Sequence, residues 1–138
     1  MANEALVQAI KQIINLSKAG KSDEHYHGYR ELFESPDFAT YRPEDRRQAL
    51  RLMILAKNAP HRATPAKIEA HRSAIAPLTE LVSSYGDPAD HEMLGMCHEL
   101  VGNEESASAI FRAGLAIERE RNPQSDLCGS LMKRVSLI

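Results

Sequence analysis

Apolar positions recur at intervals of three and four residues along most of this chain, the repeat of helices that bury one side. In residues 4–19, Leu6, Ile10, Ile13, Ile14 and Ser17 fall on one side, and Val7 and Leu16 widen it. Gly20 is placed to end that helix. Ser22 and Asp23 offer N-caps for a second helix reaching Ser35, with Tyr26, Tyr29, Leu32 and Phe33 as its apolar side and Pro36 as its stop. Residues 37–42 read as a linker. Pro43 then suits a first helical turn, and Glu44 and Asp45 suit its positive end.

The third helix is predicted to run to about Asn58. Its apolar block, Ala49, Leu50 and Leu52 to Ala56, is nearly continuous, which marks it as the central helix of the core. Arg46, Arg47 and Arg51 share a face and project a basic strip. Pro60 is expected to stop this helix, and Thr64 followed by Pro65 opens a fourth that reaches Tyr85. Pro77 lies inside that helix, where it removes a backbone hydrogen bond and is expected to kink or split the helix near Ser73. Gly86 closes it. Asp87 and Pro88 open the next helix, Gly102 makes a turn with Asn103 as the following N-cap, and the pattern continues to Arg121. A restart at Asn122–Pro123 puts Leu127, Cys128, Leu131, Met132 and Val135 on one face of a terminal covering helix, 123–137. The fold class is therefore all-α: an antiparallel array of helix hairpins over 4–35, 43–85 and 87–121, about seven helices in one domain.

The stretch 87–121 adds a family resemblance. His91, Leu94, Gly95 and His98, then Gly102, then Ala107, Phe111, Gly114 and Leu115 fall at the spacing of the tetratricopeptide repeat, which this segment resembles. Gly95 and Ala107 leave room for two helices to cross closely, and Phe111 supplies a large apolar body beside them. Four positions depart from the family pattern. Histidines stand at both aromatic positions of the first helix, Gly114 replaces the usual alanine, and the family proline arrives about a turn late as Pro123. At this quality the resemblance covers about a quarter of the chain, and the upstream hairpins follow by analogy.

The family implies a right-handed superhelix with a concave groove, lined by the first helix of each hairpin, that holds a peptide or helix of another protein. In 87–121 it would turn Ala89, Glu92, Met93, Met96, Glu99 and Leu100 toward that groove, with Arg46, Arg47 and Leu50 of the third helix extending the lining. Met93 and Met96 are deformable apolar surface. The glutamates exclude the family's carboxylate clamp from this hairpin.

Charge changes the picture modestly. The formal net charge is −2, yet residues 42–84 hold eight Lys/Arg against four Asp/Glu, while 1–41 hold four against six and 85–138 five against nine. A basic middle between acidic ends can steer an acidic protein. Nucleic acid is the disfavoured reading, because Glu44, Asp45 and Glu69 interleave with the arginines, aromatics are few, and the pI is near 6.3. The 43% hydrophobic and 26% charged fractions are those of a globular protein, no run of about 18 apolar residues suggests a membrane span, and the cytoplasm is the expected compartment.

No constellation for catalysis is legible. Cys97 and Cys128 are too far apart for a CxxC motif and read as reduced structural residues. His25 and His27 diverge by about 160° on a helix, and His91 and His98 are two turns apart, so no metal site and no cofactor are expected. The expected function is a non-catalytic adaptor. A homodimer formed through the third helix or through Leu131–Ile138 is the alternative.

Overall fold

The computed structural model describes residues 3–57 and 62–138. Among them are seven α-helices and no strand: α1 (Glu4–Lys18), α2 (Ser22–Glu34), α3 (Pro43–Ile54), α4 (Pro65–Tyr85), α5 (Pro88–Leu100), α6 (Glu104–Arg121) and α7 (Asp126–Ser136). The chain is all-α, as the patterning requires. It packs as two compact units, 1–74 and 75–138, with the division falling inside α4.

In the first unit α1 and α2 form a close hairpin. Asn3 caps α1 by accepting from Leu6 N–H at 3.1 Å. Gly20, with φ of +77°, turns the chain out of α1. Its N–H and that of Lys21 then satisfy the last carbonyls, at Ser17 and Leu16. Neither Ser22 nor Asp23 caps α2; Lys21 occupies that position without a side-chain bond. The apolar side of α1 is narrower than its periodicity suggests, since Leu6 and Ile13 are buried but Ser17 is exposed. The segment expected to be a linker forms instead a 3-10 turn, Pro36–Thr40, which buries Phe38 at 2% exposure. Phe38 thereby extends an aromatic series in which Tyr29 meets Phe33 at 5.7 Å and Phe33 meets Phe38 at 5.2 Å between ring centroids.

Helix α3 ends at Ile54, earlier than the expected Asn58, and the stop assigned to Pro60 lies outside the described residues. Its apolar block is not enclosed throughout, because Leu55 and Ala56 are exposed. Thr64 caps α4, accepting from Lys67 N–H at 3.3 Å. Pro77 does not split α4, which continues as one helix to Tyr85.

The second unit is built on α5, the most enclosed of its helices: Asp90 to Gly95 and Cys97 are all buried. Asp87 caps α5 through Ala89 N–H at 2.9 Å. Helices α5 and α6 approach closely because Gly95 lies directly beneath the Phe111 ring and a side chain there would run into it. The second crossing point is Gly114, where an added Cβ would lie 2.7 Å from His91 Cβ. The Asn103 side chain makes no capping bond to α6. The terminal helix starts later than expected, since Ser125 rather than Asn122 is its cap, accepting from Cys128 N–H at 3.0 Å. Cys128 and Leu131 of α7 complete a core with Ala107, Phe111 and Leu115.

Candidate functional site

The residues expected to line a partner groove occupy very different environments. In the second unit Met93 is 1% exposed and Glu92 8%. Met96 is partly buried against the Phe111–Leu131 core, and only Glu99 is well exposed. Glu92 is already engaged: its Oε2 accepts from the Ser130 hydroxyl and, at 2.9 Å, from Arg134 Nε. Two of the expected groove residues, Glu92 and Met96, are thus engaged by the chain's own α7 and the core it completes. Helical spacing identifies which residues share a face, but the covering neighbour comes from about forty residues farther along the chain.

In the first unit Leu50 is fully buried and Arg46 is 6% exposed, Arg47 is half-buried, and Arg51 is exposed. These positions are not the uniformly solvated basic strip that their spacing suggests. Arg42 pairs with Asp45 at 3.4 Å and Arg72 with Glu69 at 3.2 Å, so part of the basic middle is locally neutralised.

An open concavity of the first unit lies elsewhere, between α1 and α2. It encloses about 470 Å³ and is lined by Ala9, Gln12, Ile13 and Leu16 of α1 and by Glu24, His27, Gly28, Glu31 and Leu32 of α2. The α1 positions follow i, i+3, i+4, i+7, and the α2 positions repeat that spacing, so one row from each helix forms each wall. Gly28 lets the helices approach: a Cβ there would be 2.8 Å from Ile13 Cγ1. His25 ties the two helices further, its Nδ1–H donating to the Ile13 carbonyl at 3.2 Å. The floor is apolar and half-buried, at Ala9, Leu16, Gly28 and Leu32, while Gln12, Glu24, His27 and Glu31 are exposed. A mid-helix glycine opposite an isoleucine was the available sequence signal for this crossing.

The titratable groups shifted from their usual behaviour lie in packed surroundings. Burial pushes the Cys97 thiol up to about 12. Burial likewise raises Tyr29, also to about 12, with the nearby Tyr26 adding to the shift. His71 is held below the usual imidazole range, chiefly by burial, against a 2.8 Å bond that its Nδ1–H donates to the Lys67 carbonyl; the charge of Lys67 lowers it further. Cys97 and Cys128 are free, buried thiols. Among the described residues no three His, Cys, Asp or Glu side chains come together as a metal-binding group. No helix among them is long and apolar enough to cross a membrane.

Comparison of the chain with protein-family models, with curated proteins and with solved structures gave no match.

Proposed function

We propose that this chain is a non-catalytic helical module of tetratricopeptide-like character that holds a segment of another protein on a helix hairpin. The observation that supports this most directly is the α1–α2 groove, with an apolar floor and an exposed polar rim over about 470 Å³. A groove of that kind suits an amphipathic segment, whose apolar residues enter while its polar side stays in water. The α5–α6 hairpin supports the tetratricopeptide-like character, because Gly95, Ala107 and Phe111 meet at or beside its crossing.

The test is to select displayed random peptides against the chain and to repeat the binding with Ala9→Trp, which fills the groove from its half-buried wall. Loss of binding at an unchanged melting temperature is the expected result. Retained binding by the folded variant would remove the groove from the reading. Homodimerisation is a second reading, favoured by the exposure of Met132, Leu137 and Ile138 at 48%, 74% and 40%. Sedimentation across a dilution series distinguishes the two, since a dimer reports a mass that falls on dilution and an adaptor does not.

A further inference from the structure

We infer that the α1–α2 groove takes a cationic amphipathic helix, a partner segment with apolar residues on one face and Lys or Arg flanking them. This inference rests on the adaptor reading above and names the chemistry of the occupant.

Two independent observations carry it. The first is the charge of the groove itself. Its rim holds two exposed carboxylates, Glu24 and Glu31, and its lining includes no Lys or Arg. These carboxylates are two turns apart on α2, so they flank the apolar floor at Ile13, Leu16, Gly28 and Leu32. An occupant with cations spaced by two turns meets both, whereas an anionic one is repelled along the whole wall.

The second observation is how the other hairpin of this protein already receives a helix. On α5–α6 the occupant is α7, which inserts Cys128 and Leu131 into an apolar bed and places Arg134 on Glu92 at 2.9 Å. The same guanidinium lies 5.8 Å from the centre of the Phe111 ring. Apolar knobs plus an arginine on a hairpin glutamate is therefore a packing solution this chain uses within itself. The first hairpin presents the corresponding parts, an apolar floor beside glutamates, with its groove open. Each hairpin also closes over a glycine, Gly28 against Ile13 and Gly95 against Phe111, which keeps the floor shallow and the helices close.

The experiment uses the full chain and two fluorescein-labelled 14-residue helical peptides of identical apolar pattern, one of Leu and Lys, the other of Leu and Glu. Anisotropy titrations are run at low and moderate salt, with Glu24→Lys/Glu31→Lys as the groove variant and Glu105→Lys/Glu120→Lys on α6 as a variant carrying the same charge change elsewhere. The expected result is binding of the Leu/Lys peptide at least tenfold tighter than the Leu/Glu peptide, weakening with salt. That preference should be lost in the groove variant and kept in the control variant. Because all four glutamates are exposed, both variants are expected to fold, which circular dichroism checks. Equal loss in the two variants would show general charge attraction and overturn the inference. A preference for the Leu/Glu peptide that Ala9→Trp abolishes would also overturn it while leaving the adaptor reading intact. Binding of neither peptide, together with a failure of displayed peptides to select, would defeat both. Mass doubling on concentration that Glu24→Lys/Glu31→Lys abolishes would assign the groove to a second copy of the chain and likewise defeat the inference.

Discussion

At the scale of single residues, two glycines of the second unit predict opposite outcomes for the same substitution. Both lie in helices, where replacing glycine by alanine gains about 1 kcal/mol of propensity. At Gly129 nothing lies within 4 Å of an added Cβ, so Gly129→Ala should stabilise the protein by about 0.5–1 kcal/mol. At Gly95 the added methyl collides with Phe111, a fully buried ring with nowhere to move. Overpacking of this kind costs about 1–3 kcal/mol, so Gly95→Ala should be a net loss despite its better propensity. Urea denaturation of the two variants checks the pair; equal shifts of either sign would show that the helix crossing is looser than the contact at Gly95 implies. His71 gives a second prediction. Its folded pKa lies below the unfolded value of about 6.5, so between those two values the unfolded chain binds more protons than the native one. The stability His71 contributes is therefore complete above about pH 6.5 and declines as the pH falls toward its folded value. Melting temperature should drop on acidification through this window, and His71→Asn, which can still donate to the Lys67 carbonyl, should flatten the dependence. An unchanged slope in the variant would move the acid sensitivity to other groups.

At the scale of elements, the helices were legible largely through their ends. Proline in the first turn located α3, α4 and α5, and Gly20 and Gly102 located two of the turns, because each of these residues restricts or frees the backbone without help from distant parts of the chain. The elements that were misread depend on tertiary support. The 3-10 turn at Pro36–Thr40 has no periodicity of its own and is fixed by burial of Phe38. Ser125 displaces Asn122 as the cap of α7, where its hydroxyl also donates to Glu118 on α6 at 2.7 Å. At the candidate site the same dependence shows in Glu92, whose spacing on α5 does not reveal that Ser130 and Arg134 of α7 engage it. This assigns Glu92 a structural task with a measurable size. Glu92→Ala removes the acceptor for both Ser130 and Arg134, and charge-assisted bonds of this kind are each worth about 1.5–3 kcal/mol. A destabilisation of about 2–3 kcal/mol is expected, with a cycle through Arg134→Ala recovering a coupling above about 0.5 kcal/mol. Additive single losses would mean that α7 is held by its apolar face alone.

At the scale of the whole molecule, the division of the chain inside α4 makes a prediction about autonomy. The second unit has its own apolar core, from Ala107, Phe111 and Leu115 to Cys128 and Leu131, and its own buried polar anchor at Glu92. A fragment running from Thr64 to Ile138 keeps α4 whole with its cap and retains all of those contacts. Near the size where one core supplies no more than about 3–5 kcal/mol, such a fragment should still fold, but with a shallow margin. Circular dichroism should show a helical spectrum, and urea should unfold the fragment in one cooperative transition at lower concentration than the full chain. The fragment also separates His71 from the rest of the first unit, where the Tyr26 ring lies 6.2 Å away. Without that cover His71 returns to water, so the acid sensitivity argued above should vanish from the fragment while persisting in the full chain. A fragment that is helical but melts without cooperativity would show that the second unit depends on the first for its packing, and a fragment that keeps the acid dependence would show that the cover over His71 from the rest of the first unit is not its source.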